Sequence, residues 1–448
     1  MLFDVVLRNA SSILPTDPSA STTSPLVQDT VNIGIKDGKI AQISKTDLQG
    51  QDVFDCAGLV VLPGVIDSQV HFREPGMTHK EDLESGTRAA AMGGVTSIFE
   101  MPNTIPATTT KELFQDKLDR AKDRAWTNYA FYIGGSPDNV DQLAELEKLP
   151  GCAGIKVFMG SSTGTLLVED DSTLEKIFRA GTRRVILHSE DEPRLRERRH
   201  IAVDSQDVRN HHVWRDVETA VKSTTRLLKL ARKTGRKVHV LHITTAEELE
   251  ILRDEKDIAS VECLPQHLTF TAPDCYERLG SLTQQNPPIR EDRHRQAIWK
   301  AIASGVVDVM GSDHAPHTLE EKARTYPESP SGMPMVQTMI PIMLNHINKG
   351  RLSLFRFVEL TGEAPRRVFG CTTKGRIAIG LDADFTIVDM NRTETITNAW
   401  IESRCGWTPF DGEKVTGWPV MSLVGGKVLL KDGKLQAQGL GKPVPFVF

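Results

Sequence analysis

"VLPGVIDSQVHFREPG" spans Val61 to Gly76. It begins as an apolar strand and ends in polar groups: Asp67, Gln69, His71, Arg73 and Glu74. Positions 67, 69 and 71 alternate, so a strand turns all three to one side. Seven more apolar runs follow: "GVTSIFEMPNT", "NYAFYIGG", "AGIKVFMGSS", "RRVILHSED", "KVHVLHITT", "ASVECLPQHLTF" and "VVDVMGSDHAPH". Helical spacing fills most of the gaps between them. In "VWRDVETAVKSTTRLLKLA", Val213, Val217, Ala220, Val221, Leu228 and Ala231 recur at three- and four-residue steps. Strand–helix alternation predicts a parallel sheet, because parallel strands need crossovers. Eight such units predict an α/β chain built on a closed (β/α)8 TIM-type barrel. The alternative, an open doubly wound sheet, is weakened by the lack of a GxGxxG turn after a first strand.

The ends of the chain read differently. Short strand patterns, "DVVLRNASSIL", "VNIGIKDGKIAQIS" and "VFDCAGLVVLP", precede the barrel, and "GRIAIGLDADFTIVDM" and "VMSLVGGKVLLKDGK" follow it. Each "KDGK" reads as a hairpin turn. The Pro/Ser/Thr-rich "PTDPSASTTSPLVQDT" has nothing to bury and reads as a loop. The expected division is a small β-sandwich from residues 1–62 with 374–448, and a barrel over residues 63–373.

Composition narrows the function classes. The 448 residues carry 54 Lys+Arg and 59 Asp+Glu, for a net charge of -5 and no basic stripe, so no nucleic-acid partner is expected. No apolar run approaches the roughly 18–20 residues that span a bilayer, so no membrane role is expected. Asp4 interrupts what would be the apolar core of a leader peptide. Six cysteines form no CxxC and no paired framework; reduced core thiols in a cytoplasmic protein are the expectation. A small-molecule substrate is the partner implied, and the sequence leaves room for a homo-oligomer.

Chemistry gathers at the strand ends. The first run ends in His71 and Arg73, the second in Asn103, and the fourth carries Lys156. The fifth, sixth and seventh reach His188, His242 and His267, and the eighth reaches Asp313, His314 and His317. A barrel collects the carboxyl ends of its strands on one face, where the active site forms. About half of the thirteen histidines stand at these tips, which scattered surface histidines would not do. Lys156 lies inside an apolar strand, where burial disfavours the ammonium and exposes a neutral amine. Such an amine can take up carbon dioxide as a carbamate, a carboxylate on a long stem able to bridge two cations. The plain alternative is a lysine snorkelling to the barrel mouth.

Together "GVIDSQVHFREPG", "FEMPNT", "GIKVFMGSSTG", "LHSED", "LHITT", "NPPIR", "SDHAPH" and "GLDADFTIVD" resemble the amidohydrolase superfamily, and within it the dihydroorotases. The resemblance implies a metal-dependent cyclic amidohydrolase that interconverts L-dihydroorotate and N-carbamoyl-L-aspartate in pyrimidine synthesis. It implies zinc, one or two per chain, bridged by carbamylated Lys156. His71, Lys156 and Asp313 would surround one ion, and Lys156, His188 and His242 the other; such imidazole and carboxylate ligands suit zinc. Asp313 would also move the proton from the attacking water to the leaving nitrogen. Arg73, Asn103 and His317 would hold the substrate carboxylate, and Asn286 of "NPPIR" would lie near the ring.

Gln69 departs from that family's usual histidine. Three readings stay open: a weakly held first metal with the second dominant, a glutamine that substitutes well enough for two metals, or a dead site. The last would make the chain a non-catalytic partner of aspartate transcarbamoylase. The similar allantoinases and hydantoinases leave another cyclic-amide hydrolase as the other alternative, but such relatives lack the Arg73–Asn103 pair. Plain readings are also open for Arg73, a salt bridge to Glu74 or Glu100, and for Asn286, a turn residue before proline. His267 follows Gln266 where relatives often carry two histidines, so a metal role for it is not expected. "TLEEKARTYPESPSGMPM", after His317, reads as a loop over the mouth or a plain surface loop.

Overall fold

The structure is a computed structural model that describes residues 2–17, 24–161 and 166–447. Five strands come first: β1 (Leu2–Pro15), β2 (Leu26–Lys36), β3 (Lys39–Ser44), β4 (Gln49–Asp55) and β5 (Val60–Pro63). The eight expected runs then form β6 (Val65–Val70), β7 (Val95–Glu100), β8 (Asn128–Gly134), β9 (Cys152–Phe158), β10 (Val185–His188), β11 (Val238–Val240), β12 (Ala259–Cys263) and β13 (Val309–Met310). These eight pair in parallel and in sequence order. The seam between first and last is drawn together where the His71 amide donates to the His314 carbonyl at 2.7 Å. The barrel is thus nearly closed.

Strand alternation divides the barrel's residues between two cores. Val65, Val95, Ile98, Phe131 and Ile155 pack outward in the large cluster that also takes up the helices. Ile66, Phe99, Tyr132, Ala153, Ile186, Leu241 and Val309 pack together with Phe369 and Val444 in a separate cluster. Phe99 meets Phe369 edge-on at 5.3 Å. That apolar filling is the floor on which the strand tips stand.

The remaining strands, β14 (Phe385–Thr395), β15 (Lys414–Val424), β16 (Lys427–Lys431) and β17 (Lys434–Leu435), join the first five in one nine-stranded sheet. Its two halves meet where β5 pairs antiparallel with β14, Val61 opposite Ile387. Both "KDGK" segments are two-residue hairpin turns, with Asp37 and Gly38, then Asp432 and Gly433, at positive φ.

Two expectations need correction. The Pro/Ser/Thr-rich loop is shorter than its composition suggests, because β1 and β2 run on until Pro15 pairs with Leu26; residues 18–23 lie outside the described residues. Backbone pairing there needs no apolar side chains. The helix expected from Val213 onward is broken. A short helix, His211–Trp214, ends at Arg215, and Asp216 caps a new one, Val217–Thr234, by accepting from the Thr219 amide. Val213 is exposed; the buried stripe begins beyond the break. The cysteines form no disulfides, and five of the six are buried.

Candidate active site

One pocket of about 370 Å³ opens among the strand tips. Gln69 stands on β6, His71 and Arg73 follow it, Asn103 follows β7, Lys156 comes from β9, His188 ends β10, His242 follows β11 and Asp313 follows β13; all line it. Asn286, Gln285, Ser331 and Gly332 complete the wall. Arg73, His242 and Asp313 have φ of 63°, 36° and 48°, left-handed values that non-glycine residues rarely take. Such turns cost of order 1–3 kcal/mol each and persist where the surroundings impose them. Here they bend three chain segments inward just past their strands.

The first half of the site is built around Asp313. Its Oδ1 accepts from Gln69 Nε2 at 2.9 Å and stands 3.2 Å from His71 Nε2. His71 Nδ1 donates to Asn103 Oδ1 at 2.7 Å, which leaves a lone pair on Nε2. Burial keeps this imidazole neutral. Two acceptors therefore face each other, and Gln69 Oε1 is buried with no hydrogen-bond partner.

In the second half, His188 Nε2 bonds to Glu190 Oε2 at 2.9 Å, and His188 Nδ1 faces His242 Nε2 at 3.1 Å. A zinc ion held by two imidazoles at about 2.0–2.1 Å each is compatible with that separation. His242 Nδ1 is buried without a partner. Lys156 is 1% exposed, with its Nζ 4.3 Å from the centre of the Phe158 ring. Burial pushes its ammonium down to about 7. That is the reactive-amine environment expected of it. Among the described residues, no group of three or more His, Cys, Asp or Glu side chains is placed to hold an ion. The donors nevertheless fit a metal in kind and in facing lone pairs, and Lys156 is the residue able to complete the set once it carries an acidic group.

Arg73 is 1% exposed. Its Nε donates to the Pro316 carbonyl at 3.2 Å, and its Nη2 lies 3.3 Å from His317 Nε2. It forms no ion pair among the described residues. Glu74 is taken by Arg124 and by the Leu83 amide, and Glu100 by Lys117, so neither plain salt-bridge reading of Arg73 holds. Burial lowers the guanidinium to about 10, still charged at neutral pH. His317 lies behind Arg73 rather than on the pocket wall, between Lys80 Nζ (3.1 Å) and the Ser331 carbonyl (3.0 Å). His267 also lies off the wall, near the Pro287 carbonyl and Gln285.

Several contributors had not been singled out from the sequence. Glu190 and Arg215 stand behind His188, and His211 donates from Nε2 to Asn286 Oδ1 at 3.0 Å. Glu190 was readable, being two residues beyond His188 in "LHSED". Arg215 lies inside the stretch from Val213 that reads as uninterrupted helix, and His211 stands two residues before it with no motif to mark it. The stretch after His317 does reach the site: Ser331 and Gly332 line the pocket, and Lys322 Nζ anchors the stretch on the carbonyls of Gln284, Pro330 and Gly332.

Comparison with known proteins agrees with this geometry. The amidohydrolase family profile matches residues 60–429. A dihydroorotase of Methanothermobacter thermautotrophicus is 32% identical over 93% of this chain and 94% of its own. One of Methanosarcina mazei is 34% identical over 91% of each. The solved L-hydantoinase of Arthrobacter aurescens superposes with a TM-score of 0.92 at 30% identity, covering 99% of this chain and 100% of its own. The strand-tip cluster and these matches agree: the chain belongs to the amidohydrolase family.

Proposed function

We propose that this chain is a zinc-dependent dihydroorotase, which reversibly hydrolyses the ring amide of L-dihydroorotate to N-carbamoyl-L-aspartate. The observation that carries the proposal is Arg73, a buried guanidinium without an ion pair among the described residues, on the wall of the pocket that holds His71, Lys156, His188, His242 and Asp313. A cation already stripped of water at the pocket suits a substrate carboxylate, which it can grip with two hydrogen bonds. Dihydroorotate carries a ring carboxylate, whereas hydantoin and allantoin do not.

Lys156, as its carbamate, with His188 and His242 would hold the tighter metal; His71 and Asp313, with Gln69, would hold a weaker one. Bound zinc supplies a Lewis acid that lowers the pKa of water toward about 7 and polarises a carbonyl. The chain's own residues do the rest. Asp313 takes a proton from the attacking water at its carboxylate and returns it to the leaving ring nitrogen. Gln69 holds Oδ1 of that carboxylate in place. Asn103 fixes the His71 tautomer, and His317 backs Arg73. Asn286, oriented by His211, faces the ring.

The likeness to an L-hydantoinase supports a second reading, a hydantoin-cleaving enzyme. Turnover of L-dihydroorotate, hydantoin and allantoin by the zinc-loaded protein separates the readings. Dihydroorotate should lead in kcat/KM. Preference for hydantoin would overturn the proposal in favour of the second reading, and no turnover of any would favour a non-catalytic partner.

A further inference from the structure

We infer that Glu190 and Arg215 form a buried brace that fixes the His188 ring and so sets how tightly the pocket holds zinc. This rests on the zinc ligation proposed above. Glu190 is fully buried, two residues past His188. Its Oε2 accepts from His188 Nε2 at 2.9 Å and from Arg215 Nη1 at 2.8 Å. Arg215 is 2% exposed; its Nη2 donates to the Ser161 carbonyl at 2.5 Å, and its guanidinium lies 5.3 Å from the centre of the Trp214 ring. Neither residue lines the pocket.

An ordinary buried ion pair needs only its two members. This carboxylate shares one oxygen between the arginine and an imidazole whose other nitrogen faces the pocket. A carboxylate accepts only, so His188 Nε2 must carry the hydrogen and Nδ1 the lone pair directed at His242. Carboxylate–imidazole contacts of this kind orient a metal ligand and raise its basicity. The brace also reaches the Lys156 strand: a side chain at Gly160 would meet the Glu190 carbonyl at 2.6 Å, so the exit of β9 packs directly on it. Arg290 Nη1 donates to the Arg215 carbonyl at 2.9 Å and carries the support toward Asn286. Glu190 and Arg215 are thus positioning residues.

The test compares Glu190→Gln and Arg215→Met with His188→Ala. Zinc affinity is read by competition with a chromogenic chelator, the cobalt-substituted proteins by their visible spectra, and the metal-free proteins by melting. Glu190→Gln should lose about 10–100-fold in zinc affinity and shift the cobalt bands. Arg215→Met should move both readouts in the same direction. If Glu190→Gln does not fold, Arg215→Lys replaces it, with at least a fivefold loss expected. Unchanged affinity and spectra in the folded brace variants, with binding lost in His188→Ala, would overturn the brace and leave the zinc reading standing. Unchanged binding in His188→Ala as well would overturn both.

Discussion

Arg73→Met removes the group on which substrate choice is proposed to depend. The side chain donates from Nε to Pro316 and leaves the Nη1 edge without a hydrogen bond among the described residues. A hydrogen bond to a charged group contributes about 1.5–3 kcal/mol. Two of them to one carboxylate give about 3–6 kcal/mol, or about 10²–10⁴-fold in kcat/KM. The upper half of that range is expected, because the guanidinium is desolvated before substrate arrives. Stability should not suffer: methionine fills similar space, and the buried charge it replaces has no carboxylate partner to strand. The assay is kcat/KM for L-dihydroorotate beside that for hydantoin, with a melting curve for each protein. Dihydroorotate hydrolysis should fall at least about 1,000-fold while hydantoin hydrolysis stays within about threefold. An equal fall for both substrates would refute the reasoning, since it would make Arg73 a structural or general catalytic group rather than a reader of the carboxylate.

Three further outcomes are expected. Gln69→His places an imidazole beside His71 and Asp313, so elemental analysis after brief chelation should rise from one tightly held zinc per chain to two; two in the parent protein would contradict this. Asp313→Asn tolerates the left-handed backbone there and should lower kcat by about 10²–10⁴-fold without lowering the melting temperature; near-normal turnover would remove Asp313 from proton transfer. Burial holds the His346 imidazole near 3, so the folded chain keeps it neutral where the unfolded chain protonates it. The unfolded state then binds more protons, and stability falls as pH drops from about 6.5 toward about 3, by about 1.4 kcal/mol per pH unit for this one group. His346→Gln should flatten the decline by one proton's worth in denaturant titrations between pH 4.5 and 6.5; an unaltered slope would count against the burial argument.

The barrel was legible because its strands are buried on both faces. Continuous apolar runs such as "GVTSIFE" announce that state, and a parallel sheet demands the intervening helices. Lys156 was legible for a related reason: a charge inside such a run must find a partner, reach the barrel mouth or lose its proton. What stayed hidden depends on backbone turns rather than residue type. Arg215 reaches Glu190 only because the chain leaves the helical path between Trp214 and Asp216, and the apolar spacing from Val213 to Ala231 carries no sign of it. His317 shows the converse. Its place in "DHAPH" put it near the site, but the sequence does not tell a wall residue from one standing a layer behind Arg73.

Fold and substrate choice are also separable on physical grounds. A backbone that superposes on an L-hydantoinase at a TM-score of 0.92 carries no information about a substrate carboxylate. That information lies in how charges are distributed behind the pocket. Glu74 and Glu100, which flank Arg73 in sequence or across the sheet, are each given another cation, Arg124 and Lys117. Under the proposed reading, Arg124 and Lys117 leave the Arg73 guanidinium available to a substrate carboxylate, although neither lines the pocket.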